Sequence, residues 1–145
     1  MHDFIVVYND TFKYIDQIYG EEAVKDLWAA ISERWCTHLS ELIKTKGISG
    51  MLEYWGGGNG TLERENAGYK AELKNSVLKV EIANCPSVRE LKERKREIYN
   101  SKLTYCDHCN ALYPPIAKKY GYEMHIYIDY NEYGECEGRC MLVVR

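Results

Sequence analysis

The stretch Tyr69-Lys70-Ala71-Glu72-Leu73-Lys74-Asn75-Ser76-Val77-Leu78-Lys79-Val80-Glu81-Ile82 decides the fold class. Tyr69, Ala71 and Leu73 fall on one side of an extended chain, and Lys70 and Glu72 on the other. Leu78, Val80 and Ile82 then oppose Lys79 and Glu81. Alternation with a period of two marks a half-buried strand, and Lys74-Asn75-Ser76 between the runs is a turn. The stretch is therefore an antiparallel hairpin with one wet face. Further on, Tyr122 to Tyr130 alternates again, with Met124, Ile126 and Ile128 opposite His125, Tyr127 and Asp129. Asn131-Glu132-Tyr133-Gly134 is the turn of this second hairpin, and Cys140 to Val144 is its closing strand.

Helices fill the rest. Ser87 and Glu90, after Cys85-Pro86, have the spacing of a capping box and open a charged helix with Val88, Leu91 and Ile98 as its apolar residues. A second helix is expected from about Leu103 to Tyr113, ended or kinked by Pro114-Pro115. A last turn through Ile116, Ala117 and Tyr120 stops at Gly121. Ahead of the first hairpin, Ala23, Leu27, Ile31, Trp35, Leu39, Leu42 and Ile43 predict one long amphipathic helix from Glu21 to about Lys46, stopped by Gly47. The first segment has two readings: Asp10-Thr11 caps a helix, or the helix starts as early as Asp3. Gly56-Gly57-Gly58-Asn59-Gly60 lacks a preceding strand and a following Gly-Lys-Ser/Thr, so it reads as a connector rather than a phosphate cradle; a lid over a pocket is its other reading. The expected fold is α+β in a single domain, 1–145: N-terminal helices packed on one antiparallel sheet of about four strands, with helices between two hairpins. Residues 1–66 form the mainly helical half, and 67–145 the half that carries most of the cysteines.

A chain of 145 residues buries enough surface to fold without staples. The N-terminal apolar run is too short for a signal core or a membrane span and has no basic leader, so the expected compartment is the cytoplasm. There thiols stay reduced, and clustered cysteines bind metal or react. The net charge of −3 gives no electrostatic case for nucleic acid, since the basic cluster Lys92 to Arg96 is interleaved with Glu90, Glu93 and Glu97. The expected partner is a small molecule; thirteen tyrosines are compatible with a homodimer.

Five of the six cysteines lie from Cys85 onward. Cys106 and Cys109, at i and i+3 on a helix, share a face, and with Cys136 and Cys140 they count out a four-thiolate zinc site. In an extended strand Cys136 and Cys140 stand about 13 Å apart, so this requires a turn or bulge at Gly134 or Gly138. Alternatively Cys106 or Cys109 is a nucleophile, with His108, His125 or Asp107 as base or orienter. On a helix His108 points away from both thiols, which equally fits a solvent-facing side chain. His125, Tyr127 and Asp129 line a pocket or form merely the wet side of a strand. A redox pair lacks the βαβ setting of thioredoxin-like proteins, and haem attachment lacks a histidine after Cys109. Plain packing of buried thiols is the remaining reading, and Cys36 belongs to it.

The order of landmarks from Tyr69 onward is a hairpin ending in Cys85-Pro86, then Tyr105-Cys106-x-x-Cys109 and Leu112-Tyr113, a strand after Gly121, and Cys136 and Cys140 before an apolar run. This resembles the L-2-amino-thiazoline-4-carboxylic acid hydrolase-like family. More distantly it resembles the ligand-binding domain shared by bacteriochlorophyll 4-vinyl reductase and transport-particle subunits. The resemblance implies an α+β domain with a small-molecule pocket between helices and sheet. It also implies hydrolytic opening of a C–N bond in a cyclic amidine or amide. Cys85, Cys106, Cys136 and Cys140 match the family's pattern, and Cys109 departs from it. With Tyr105, Tyr127 and Asp129, Cys85 would line the pocket.

Overall fold

The computed structural model describes residues 2–94 and 98–145. Lys95, Arg96 and Glu97 of the charge run lie outside them. The elements run α1 (His2–Tyr19), α2 (Glu21–Arg34), α3 (Thr37–Lys46), α4 (Ile48–Gly56), α5 (Thr61–Arg64), β1 (Gly68–Lys74), β2 (Val77–Asn84), α6 (Pro86–Arg94), α7 (Tyr105–Lys119), β3 (Met124–Tyr130) and β4 (Cys136–Val144). The fold is α+β with one antiparallel sheet.

Strand order is β1-β2-β4-β3, so β4 of the second hairpin pairs with β2 of the first and joins the two. Tyr69 opposes Ile82, Ala71 opposes Val80 and Leu73 opposes Leu78. On the far side Cys140, Leu142 and Val144 oppose the same three β2 residues. They also oppose Ile128, Ile126 and Met124 of β3. One apolar face results, as the alternation predicts, and it packs against α3, α4 and α7 through Leu39, Ile43, Met51, Trp55, Ile116 and Ala117. The first hairpin turns on two residues, Asn75 (φ 50°) and Ser76 (φ 61°). Positive φ at both positions suits the right-handed twist of the strands.

Five sequence expectations are settled or corrected. The first helix takes the earlier of its two starts. The long helix breaks at Trp35-Cys36, whose backbone leaves the helical region at Cys36 (φ −82°, ψ 41°). Residues spaced by four advance about 40° beyond a full turn per step, so Trp35 has drifted about 120° from Ala23. It is 79% exposed, and the break lets α3 turn Leu39 and Ile43 back into the core. The charged helix starts at Pro86, where a missing N–H costs nothing. Cys85, rather than Ser87, is thus the cap residue: its carbonyl accepts from Arg89 N (3.0 Å), and Glu90 pairs with Arg94 (2.7 Å).

Helix α7 does not end at Pro114-Pro115 but continues to Lys119. An interior proline costs about 3 kcal/mol. Burial of Leu112 before the prolines and of Ile116 and Ala117 after them offsets it, at about 1.5–3 kcal/mol for each large side chain. Ser32 Oγ adds a buried bond to the Leu112 carbonyl at 2.7 Å. Finally, β4 begins at Cys136 rather than Cys140, and Gly138 (φ 79°) makes the expected bulge. Two residue steps along β3, Ile128 to Tyr130, span four on β4, Cys140 to Cys136. The bulge carbonyl of Gly138 accepts from Cys85 N at 2.8 Å, tying the start of α6 to β4. No helix among the described residues is long and apolar enough to cross a membrane.

Candidate functional site

The end of the sheet beyond Cys140 and Ile82 is where the thiols gather. Cys136 and Cys140 point inward from β4, Cys85 lies between β2 and α6, and Cys106 and Cys109 are on α7. Cys106 and Cys136 pack with Val88 into a small cluster flanked by Cys85 and Ile128. All six cysteines are free thiols. Among the described residues no group of three or more His, Cys, Asp or Glu side chains is arranged to hold a metal ion. The expected four-thiolate set of Cys106, Cys109, Cys136 and Cys140 is thus not formed, although the bulge does bring Cys136 to Cys106.

The five thiols have unlike surroundings. Burial, then the neighbouring Cys85, Cys140 and Cys136 thiols, push Cys109 well above its ordinary range. Burial raises Cys140 to about 12 and also raises Cys85, the latter opposed by the Val88 and Ser87 N–H groups at the start of α6. The Cys106 thiol packed beside Cys136 pulls it down to about 7 and is itself raised, so the proton the pair shares rests on Cys106. Thr104 and the Cys106 backbone N–H add to that pull.

Thr104 is central to this arrangement. It is the N-cap of α7, and the Asp107 carboxylate reaches back to its N–H at 2.6 Å. Its hydroxyl lies 3.1 Å from Cys136 Sγ and donates to Asp107 at 2.9 Å. Tyr130 Oη donates to the other Asp107 oxygen at 2.6 Å. A hydroxyl both accepts and donates, so Thr104 accepts from a Cys136 thiol and can turn to donate to a Cys136 thiolate. With Tyr130 still on Asp107, the carboxylate keeps a partner in either state.

Cys136 and Thr104 open onto a cavity of about 690 Å³. Its walls are Val6, Asn9, Asp10 and Lys13 of α1, Val88, Leu91, Lys92 and Arg94 of α6, Tyr105 of α7, and Glu135. That volume suits a small molecule. Asn9 is buried, Lys92 pairs with Glu137 at 3.5 Å, and Arg94 pairs with Asp3 at 3.0 Å. Lys13 makes no ion pair with a described residue.

The other expected site residues fall elsewhere. His108 is buried, not solvent-facing: helical rotation turns it from the sheet into the α1–α2 layer, against the rings of Tyr105 (4.4 Å), Tyr8 (5.5 Å) and Trp28 (6.5 Å). Burial lowers it to about 4. Its Nδ1 bonds the Tyr105 carbonyl. A carbonyl only accepts, so Nδ1 carries the proton and cannot take one from Cys109, whose Sγ is 3.9 Å away. The His108–Cys109 dyad is therefore not an activated nucleophile. His125 stands on the outer sheet face, bonded to Glu123 at 2.7 Å and stacked on Tyr127, while Asp129 faces Arg139 at 3.6 Å. These three form the wet side of β3, with the sheet between them and the thiols. Of the expected pocket residues only Tyr105 lines the cavity, and Cys85 packs behind it.

Thr104 carried a sequence signal, Thr-x-x-Asp at the head of a helix. Asn9 and Lys13 carried none, because nothing local brings α1 beside α6. The Gly56–Gly60 loop covers no thiol; it folds back on α4 and borders a separate cavity of about 470 Å³ with His38, Tyr54 and Arg64. No family model, curated protein or solved structure matches the chain.

Proposed function

We propose that the chain is a small-molecule thiol hydrolase acting on the C–N bond of a cyclic amidine or amide, with Cys136 as nucleophile. The observation that carries this reading is that the one cysteine among the described residues lining the cavity of about 690 Å³ is also the one drawn toward neutral pH. A thiolate there attacks the electrophilic carbon, forming a C–S bond as the C–N bond breaks. The Lys13 ammonium protonates the departing nitrogen. The resulting amine then takes a proton from the water that cleaves the C–S bond and restores the thiolate. Asn9 is placed to donate to the developing oxyanion or amide anion. The resemblance to thiazoline-carboxylate hydrolases supports the same bond class, and Lys13 with Arg94 suits a carboxylate-bearing substrate. Six free thiols suit a reducing compartment such as the cytoplasm.

The test is turnover of 2-amino-thiazoline-4-carboxylate and a panel of cyclic amides, followed by release of the ring-opened product. Cys136→Ser abolishes turnover, and Cys109→Ala retains most of it; equal activity in wild type and Cys136→Ser contradicts the assignment. A second reading, ligand binding without turnover, is favoured by the absence of an imidazole among the described residues lining the cavity. It predicts that ligand protects Cys136 from alkylation while no product forms.

A further inference from the structure

Cys136 and Cys106 form an asymmetric pair. Cys136 faces the cavity and Cys106 does not, yet the two pack against each other with Val88 over them. They are thirty residues apart in sequence and arrive from different elements, the first turn of α7 and the start of β4. The β4 side is set between two irregularities of backbone, the turn ending at Gly134 (φ 76°) and the bulge at Gly138 (φ 79°). Between them Cys136 opposes Tyr130 of β3 and bonds Thr104, while Cys106 is fixed by the capped end of α7. Both thiols are buried to a similar degree, and what separates them is that Cys136 borders the cavity and Cys106 lies behind it.

We propose that Cys136 is a site of reversible oxidation by hydroperoxides, and that Cys106 resolves it as an intramolecular disulfide. This rests on Cys136 being the reactive thiol of the cavity. The Cys136 thiolate attacks the terminal peroxide oxygen, the O–O bond breaks, and hydroxide (alkoxide from an alkyl hydroperoxide) leaves with Cys136 as sulfenic acid. The Cys106 sulfur then attacks Cys136 sulfur; the S–O bond breaks, an S–S bond forms, and the Cys106 proton leaves with hydroxide as water. Two electrons pass from the dithiol to the peroxide, and an external dithiol returns them. Thr104, 3.1 Å from Cys136 Sγ, is placed to hydrogen-bond the sulfenic oxygen while Cys106 closes. The disulfide removes the nucleophile from the cavity, so hydrolysis stops while the protein is oxidised. Cys85 borders the same cluster and is the competing partner.

The experiment treats the full chain with one equivalent of hydrogen peroxide, quenches in acid, and maps the peptides with and without dimedone. Untreated protein is alkylated in parallel with iodoacetamide. The expected result is an intact mass lower by two hydrogens, a Cys106–Cys136 linked peptide, little dimedone adduct, and full reversal by dithiothreitol. Cys106→Ser then accumulates the dimedone adduct on Cys136; if that variant does not fold, the wild-type peptide map decides alone. Persistent sulfenic or sulfinic acid on wild-type Cys136, or linkage to Cys85, overturns the pairing. Alkylation of Cys136 without a disulfide refutes the pair alone, and a disulfide without substrate turnover refutes only the hydrolase reading. A Cys136 inert to both reagents refutes both.

Discussion

Replacing His108 by phenylalanine should remove much of the acid lability of this fold. The imidazole is buried among Tyr8, Trp28 and Tyr105, and burial holds it down to about 4 against 6.5 when free. Above pH 6.5 both folded and unfolded chains carry it neutral, and it contributes no pH dependence. Between 6.5 and 4 the unfolded chain binds a proton that the folded one refuses, so stability falls as the pH falls. At about 1.36 kcal/mol per pH unit the loss by pH 4 is about 3 kcal/mol. A phenyl ring at this position keeps the aromatic packing and cannot titrate. Urea unfolding followed by tryptophan fluorescence, at pH 7 and pH 4, gives four free energies. Their double difference cancels every group common to both chains. Wild type should lose about 3 kcal/mol more than His108→Phe, or about 1–2 M in urea midpoint. Equal losses in the two proteins would show that His108 is accessible to protons in the folded state and would refute the burial reasoning.

Two other substitutions test the packing. Gly50→Ala places a Cβ 2.1 Å from the Leu42 carbonyl oxygen, so α3 and α4 must separate and loosen Leu39, Ile43, Met51 and Trp55. A thermal melt should fall by about 10 °C, for about 3 kcal/mol lost; a change within about 2 °C contradicts the close approach. Ser76→Gly relieves a side chain at φ 61° in the first hairpin turn and should stabilise by about 0.5 kcal/mol in urea titration, whereas destabilisation speaks against a two-residue turn with both φ positive.

The sheet was legible because period-two alternation is a local signal. Leu78, Val80, Met124, Ile126 and Ile128 all face the side that the pattern predicts. Helix continuity was less so. The i+4 run through Trp35 passes for one stripe only while its rotational drift is ignored. Pro114-Pro115 reads as a stop or a kink, and only the burial of Leu112, Ile116 and Ala117 shows why the helix continues past them. The candidate site was legible in half. Clustering of cysteines in the C-terminal half and a bulge at Gly138 could both be read. That Cys136, rather than Cys106 or Cys109, meets the cavity depends on β4 pairing with β2 of the first hairpin and on α1 lying against α6. Both are long-range facts with no local signature. His108 misled for a related reason, since neighbours in sequence point about a third of a turn apart on a helix.

The most direct measurement of the central claim is the rate of iodoacetamide alkylation at each cysteine of the native protein, resolved by peptide mapping from about pH 5.5 to 9.5. Cys136 should be alkylated first, at a rate that rises tenfold per pH unit below about 7 and levels above it, while Cys106 and Cys109 stay protected. A Cys136 that reacts only above about pH 9, or more slowly than Cys109, would contradict its assignment as the thiolate of the cavity.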